Sequence, residues 1–138
     1  PNLGPDLGPS SIIEGGLPNL LGNIGWGVSQ LPPLVIENNS PVETELPTGW
    51  KAKNCASVGQ GLQVIHDHVR EHVKDGAFPL ILGGDHSIAA GTISAIVNNS
   101  GSRPAIVWVD AHADINTPSK SNSGNMHGMP VALLMGLV

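Results

Sequence analysis

Asp110, His112 and Asp114 stand two residues apart in "VWVDAHADINTPS" (107–119), directly after a continuously apolar run. If that run is a strand, alternation puts all three side chains on one face. Two carboxylates and an imidazole converging at a strand end are costly unless a positive charge sits among them. "LGGDHS" (82–87) closes another short apolar run and adds Asp85 and His86, with Gly83 and Gly84 allowing a tight backbone exit. Either motif alone also reads as caps and turns, since Asp ahead of a helix is an ordinary cap. At neighbouring strand ends the two together point to a metal. A His/Asp set without a nearby thiolate is unlike a structural zinc site and suits a hard or borderline divalent ion, manganese among them. A carboxylate such as Asp110 is able to bridge two ions roughly 3.5–4 Å apart. Two such ions need more ligands than these residues supply.

Downstream, "INTP" and "SNSGNMHGMP" (121–130) add Asn116, Ser123, Asn125 and His127. The neutral groups suit the zwitterionic end of a substrate, and an imidazole is able to carry protons near neutral pH. Taken alone, the same residues make a plain polar loop. His66, His68 and His72 occupy one helical segment, where His68 and His72 are four apart, but packing and surface roles account for them. Trp26, Trp50 and Trp108 are scattered and read as core or interface fillers.

The elements that position these groups are read from periodicity. Val58, Leu62, Ile65, Val69 and Val73 recur at helical spacing, with Ser57 as N-cap and Gly76 beyond the end. "FPLILGG" (78–84) and "AIVWVD" (105–110) are apolar throughout, as strands covered on both faces are. "SIAAGTISAIVNN" (87–99) and "MPVALLMGLV" (129–138) read as helices. Helix and strand in alternation imply an α/β fold, a parallel sheet with helices on both sides, whose ligands bind beyond the carboxyl ends of the strands. Residues 1–56 differ: they hold Pro1, Pro5, Pro9, Pro18, Pro32, Pro33, Pro41 and Pro47, and their composition fits disorder as well as it fits loops. "SSIIEGGLPNLLG" forms at best one poor helix interrupted by Gly15, Gly16 and Pro18, and a short strand is possible at 34–36. The expected organisation is one partial domain over 1–138, irregular over 1–56 and a metal-binding α/β core over 57–138.

The 138 residues carry a formal net charge of −5 with six Lys plus Arg, which disfavours nucleic acid as a partner. No basic run suggests a membrane surface, no apolar stretch approaches the ~20 residues of a spanning helix, and no signal-peptide pattern opens the chain. The single Cys55 forms no internal disulfide, which fits a reducing, cytoplasmic setting. The chain opens on Pro1 rather than Met, compatible with an absent upstream segment.

"LILGGDHSIAAGTISAI", "AIVWVDAHADINTPS" and "SGNMHGMPVALLMGL" resemble three consecutive motifs of the arginases, within the ureohydrolase family. The likeness covers 57–138 firmly. "GPSSIIEGGL" resembles the family's early helix more weakly, with Ile13 where an arginine is usual. The "DINTP…SGNMHG" loop is more similar to arginase than to agmatinase. The resemblance implies a three-layer α/β/α fold with a parallel sheet, incomplete in this chain. It implies that His86, Asp110, His112 and Asp114 supply part of the ligand set of a centre of two manganese ions (Mn2+). His127 matches the proton-carrying histidine; Asn116, Ser123 and Asn125, with His112, match substrate-binding positions. The implied reaction is hydrolysis of L-arginine to L-ornithine and urea, with a hydroxide shared by the two ions attacking the guanidinium carbon, in a homo-oligomer, trimer or hexamer. The family's first strand and second half, with further ligands, are not matched here, so the chain is expected to be inactive by itself. The alternatives are another ureohydrolase such as agmatinase, or a non-catalytic truncated paralogue that assembles with intact subunits. A binuclear phosphoesterase also uses Asp-x-His, but the histidine after "GGD" and the "DINTP" continuation do not fit it.

Overall fold

The computed structural model describes residues 4–36, 45–73, 76–101 and 104–138. The short helices near the start follow directly from their glycines and prolines. A 3-10 turn at Pro5–Leu7 leads into α1 (Gly8–Glu14), which stops at Gly15–Gly16, and α2 (Leu17–Asn23) follows. Gly16 has φ +99°, a left-handed conformation that ends one helix and starts the next. Pro18 falls in the first turn of α2, where its missing N–H costs nothing. The expected single helix is therefore two, broken by the glycines and not by the proline. Nor is 1–56 wholly irregular, since 8–14 and 17–23 are helical; part of its expected loop, 37–44, lies outside the described residues. These helices and residues 80–85 make up one compact unit, in which Gly84 lies against the backbone of Pro5 and Asp6, 3.0 Å from where its Cβ would be.

The second unit, 36–79 and 86–138, contains α3 (Cys55–His72), α4 (Ile88–Asn99) and α5 (Pro130–Leu134). α3 begins early, with Asn54 as its N-cap three residues before the expected Ser57. Asn54 adopts φ 54°, a left-handed conformation Asn tolerates, and its carbonyl accepts the Val58 N–H at 2.9 Å. Small residues on α4 let the two long helices touch. Ala90, Gly91, Thr92 and Ala95 are buried there, against Ile65 of α3. A Cβ at Gly91 would lie 2.7 Å from the Leu62 carbonyl oxygen and 3.3 Å from Ile65. Met129 and Ala132, both at 0% exposure, complete the core at α5, with Met129 the largest of its fully buried side chains. Asn98 Nδ2 lies 3.1 Å from His66 Nε2 and Asn99 donates to the Arg70 carbonyl, tying the end of α4 to α3.

The expected strands 78–84 and 105–110 are not strands here, nor is 34–36: no β-ladder occurs among the described residues. A strand exists only through a ladder of hydrogen bonds to a neighbour, and no such ladder forms at these segments among the described residues. Val107 and Val109 are 85% and 91% exposed, so the two-sided cover implied by their apolar character is not provided by the described residues. No described helix is long and apolar enough to cross a membrane.

The α3–α4 contact makes a direct test. Gly91→Ala should lower stability by about 1–3 kcal/mol, because the new methyl meets backbone that cannot give way. Gly59→Ala, on α3 with open space around it, should raise stability by about 0.5–1 kcal/mol through helix propensity. Thermal unfolding of the two variants should move in opposite directions.

Candidate metal centre and adjoining cavity

His86 precedes α4 in a turn, its carbonyl accepting the Ala89 N–H at 3.2 Å. Trp108 stands edge-on to its ring, with centroids 5.2 Å apart. Asp110 bends the chain: its Oδ1 accepts the His112 backbone N–H at 2.8 Å. That bond, helped by the nearby His86 and His112 and opposed by desolvation, holds the Asp110 carboxyl below its ordinary pKa and so ionised. Asp114 adopts φ 48°, a left-handed conformation that Asp tolerates better than most residues. Its carbonyl accepts the N–H groups of Val131 (3.1 Å) and Ala132 (3.3 Å). These donors belong to the first turn of α5, where a helix has no partners of its own. A buried helix start thus fixes the backbone of Asp114.

The result is a cluster of three. His86 Nε2 lies 2.9 Å from Asp114 Oδ2 and 3.4 Å from Asp110 Oδ2. One ligand atom from each of His86, Asp110 and Asp114 falls within 4.8 Å of the others. Asp114 has a side chain only 9% exposed, and although His86 is close, no donor reaches Oδ2 with hydrogen-bond geometry. A buried carboxylate oxygen without a hydrogen bond is costly, and a cation removes that cost. Separations of 2.9 and 3.4 Å are also those of neighbouring ligands around an ion at about 2.1 Å. Two carboxylates and one imidazole therefore fit a hard or borderline divalent ion.

His112 is not part of this cluster. Its side chain is 82% exposed and its Nδ1 stays 3.5 Å from Asp110 Oδ1. The alternation that would have aligned it with Asp110 and Asp114 requires an extended chain, and the Asp110 turn and left-handed Asp114 interrupt that. Instead His112 lines a cavity of about 330 Å³ with Asp114, Asn116, Ser123, Asn125 and His127. All the sequence-derived substrate and proton-carrying residues meet there, and Asp114 belongs to both cavity and cluster.

What holds the cavity loop was not visible in the sequence. The Lys51 N–H donates to the Pro118 carbonyl and the Lys53 N–H to the Gly124 carbonyl, both at 2.8 Å. Ser121, 2% exposed, accepts the Gly124 N–H on its Oγ at 3.0 Å. Gly124 has φ +71°, and a Cβ there would collide with the Lys51 carbonyl. Asn116 donates its N–H to the Gly128 carbonyl at 3.2 Å, closing the loop on the 3-10 turn Met126–Gly128 that carries His127. The "KAK" segment has no periodicity to mark it, whereas Ser-x-x-Gly in a polar loop was a usable signal for a side-chain-stabilised turn.

Comparison with known proteins agrees with the geometry. The model of the Arginase family matches residues 2–138. Arginase of Eremothecium gossypii is 41% identical over 97% of this chain, which spans 34% of that protein. Arginase of Bacillus cereus superposes with a TM-score of 0.77 at 35% identity, covering 94% of this chain and 40% of that one. Arginase of Entamoeba histolytica, solved in complex with L-ornithine, gives a TM-score of 0.74 at 31% identity over 96% of this chain and 44% of that one. The chain spans less than half the length of these relatives, and their fold class is α/β. On its motifs, its fold and this match over nearly every residue, the chain belongs to the arginase family.

Proposed function

We propose that this chain supplies one part of the active site of a manganese-dependent arginase, which hydrolyses L-arginine to L-ornithine and urea. The observation that carries the reading is the sharing of Asp114 between the His86–Asp110–Asp114 cluster and the cavity lined by Asn116, Ser123, Asn125 and His127. His86, Asp110 and Asp114, with His112 beside them, would hold two Mn2+ together with ligands from the remainder of the full-length protein. When bound, the ions supply the acidified water that a guanidinium requires at neutral pH.

The chain's own residues do the rest. Asn116, Ser123 and Asn125 offer amide and hydroxyl groups to the α-carboxylate and α-amino ends of the substrate, which leaves the guanidinium end for the carboxylate cluster. That L-ornithine occupies the Entamoeba histolytica arginase supports a site of this kind. His127, on the exposed turn at the cavity mouth, passes a proton between cavity and solvent. Segments 78–84 and 105–110 join a parallel sheet in the whole protein, which covers their apolar side chains. The assembled enzyme is a cytoplasmic homo-oligomer, a trimer or hexamer, in keeping with the single Cys55.

Urea release tests the reading. The full-length parent loaded with Mn2+ should release urea from L-arginine and the isolated 138-residue chain should not; a parent that releases none overturns it. Asp114→Asn in the parent should weaken Mn2+ binding at least tenfold in a calorimetric titration, because it removes a charged ligand. Ser123→Ala combined with Asn125→Ala should raise KM for arginine about tenfold, the worth of one or two lost hydrogen bonds, and should leave unchanged the rate measured with agmatine, which lacks the carboxylate. His127→Asn should lower kcat by about 100-fold or more and remove one limb of its pH profile.

A further inference from the structure

The end of α3 carries a pair of imidazoles that the arginase reading leaves without a role. In His68-Val69-Arg70-Glu71-His72 the two histidines are one helical turn apart, the spacing at which helices present paired imidazoles to a metal. His72 Nδ1 lies 2.8 Å from the His68 carbonyl oxygen. A carbonyl only accepts, so Nδ1 carries the proton and the Nε2 lone pair of His72 is left available. A ring oriented through one nitrogen by a backbone carbonyl is the usual condition of a metal-bound histidine.

The two ring centroids are 4.3 Å apart with planes tilted by 35°. Two imidazoles on one ion, each at about 2.0–2.1 Å, have centroids about 4.5 Å apart for a right-angled pair and about 5.2 Å for a tetrahedral one. The observed separation matches the right angle. His66 is different: both its ring nitrogens are engaged, Nδ1 near Asp67 and Nε2 near Asn98. His72 also lies in the last turn of an 18-residue helix, where the helix dipole favours positive charge. Among the described residues no third His, Cys, Asp or Glu joins the pair.

We propose that His68 and His72 form a second metal site, a two-imidazole chelate for a borderline divalent ion of right-angled ligand geometry, Cu2+ or Ni2+. It differs in chemistry from the carboxylate-rich cluster: imidazole nitrogens favour copper and nickel over manganese. The test is calorimetric titration of the 138-residue chain with Ni2+. His68→Gln and His72→Gln should each weaken binding at least tenfold, and His86→Gln should leave that event intact. An unchanged Ni2+ affinity in both α3 variants overturns the proposal. A second measurement needs no variant: substoichiometric Cu2+ should broaden the amide NMR signals of residues around 68–73. Broadening confined to the surroundings of His86 and residues 110–114 would equally overturn it.

Discussion

The interaction on which this structure turns is the close approach of two carboxylates and an imidazole around a buried carboxylate oxygen that accepts no hydrogen bond. Asp114 Oδ2 is buried without a hydrogen bond, 2.9 Å from His86 Nε2, and Asp110 Oδ2 lies 3.4 Å from the same nitrogen. Two carboxylates held this close repel one another. Yet the fold enforces the approach. The start of α5 fixes the Asp114 backbone, a turn closed by the His112 N–H fixes Asp110, and the turn into α4, with Trp108 beside the ring, fixes His86. Small buried side chains along α4 and α5 bring these elements together.

Much of this site could be read before the structure was seen, because metal-binding chemistry needs particular residue types at particular places. His86, Asp110 and Asp114 were legible from two short motifs at the ends of apolar runs. Asn116, Ser123, Asn125 and His127 were legible as one polar loop, and they line one cavity. His112 departs from what its spacing implies. A two-residue spacing puts side chains on one face only in an extended chain, and spacing does not reveal a left-handed Asp114. The Lys51 and Lys53 contacts use backbone atoms alone, which any residue type offers, so no sequence pattern marks them.

The helices followed from periodicity, and the errors lay at their ends, where a cap decides and not the apolar spacing. Asn54 in a left-handed conformation began α3 early, and Gly16 divided what read as one helix into two. The sheet is a different matter. Residues 105–109 have the composition of a strand covered on both faces, yet Val107 and Val109 are almost fully exposed. Composition records the surroundings a segment is adapted to, whereas pairing needs a partner strand. The same division appears in the chemistry, because His86, Asp110 and Asp114 meet within 4.8 Å of one another while no fourth His, Cys, Asp or Glu among the described residues joins them.

The central claim is that the His86–Asp110–Asp114 cluster is a divalent-cation site that the fold prepares in advance. Its most direct test is a crystal structure of the protein grown with manganese chloride, with diffraction recorded at the manganese absorption edge. An anomalous peak in contact with His86 Nε2 and with carboxylate oxygens of both Asp110 and Asp114 is the predicted result. Saturating manganese with no peak between these three side chains would contradict the account.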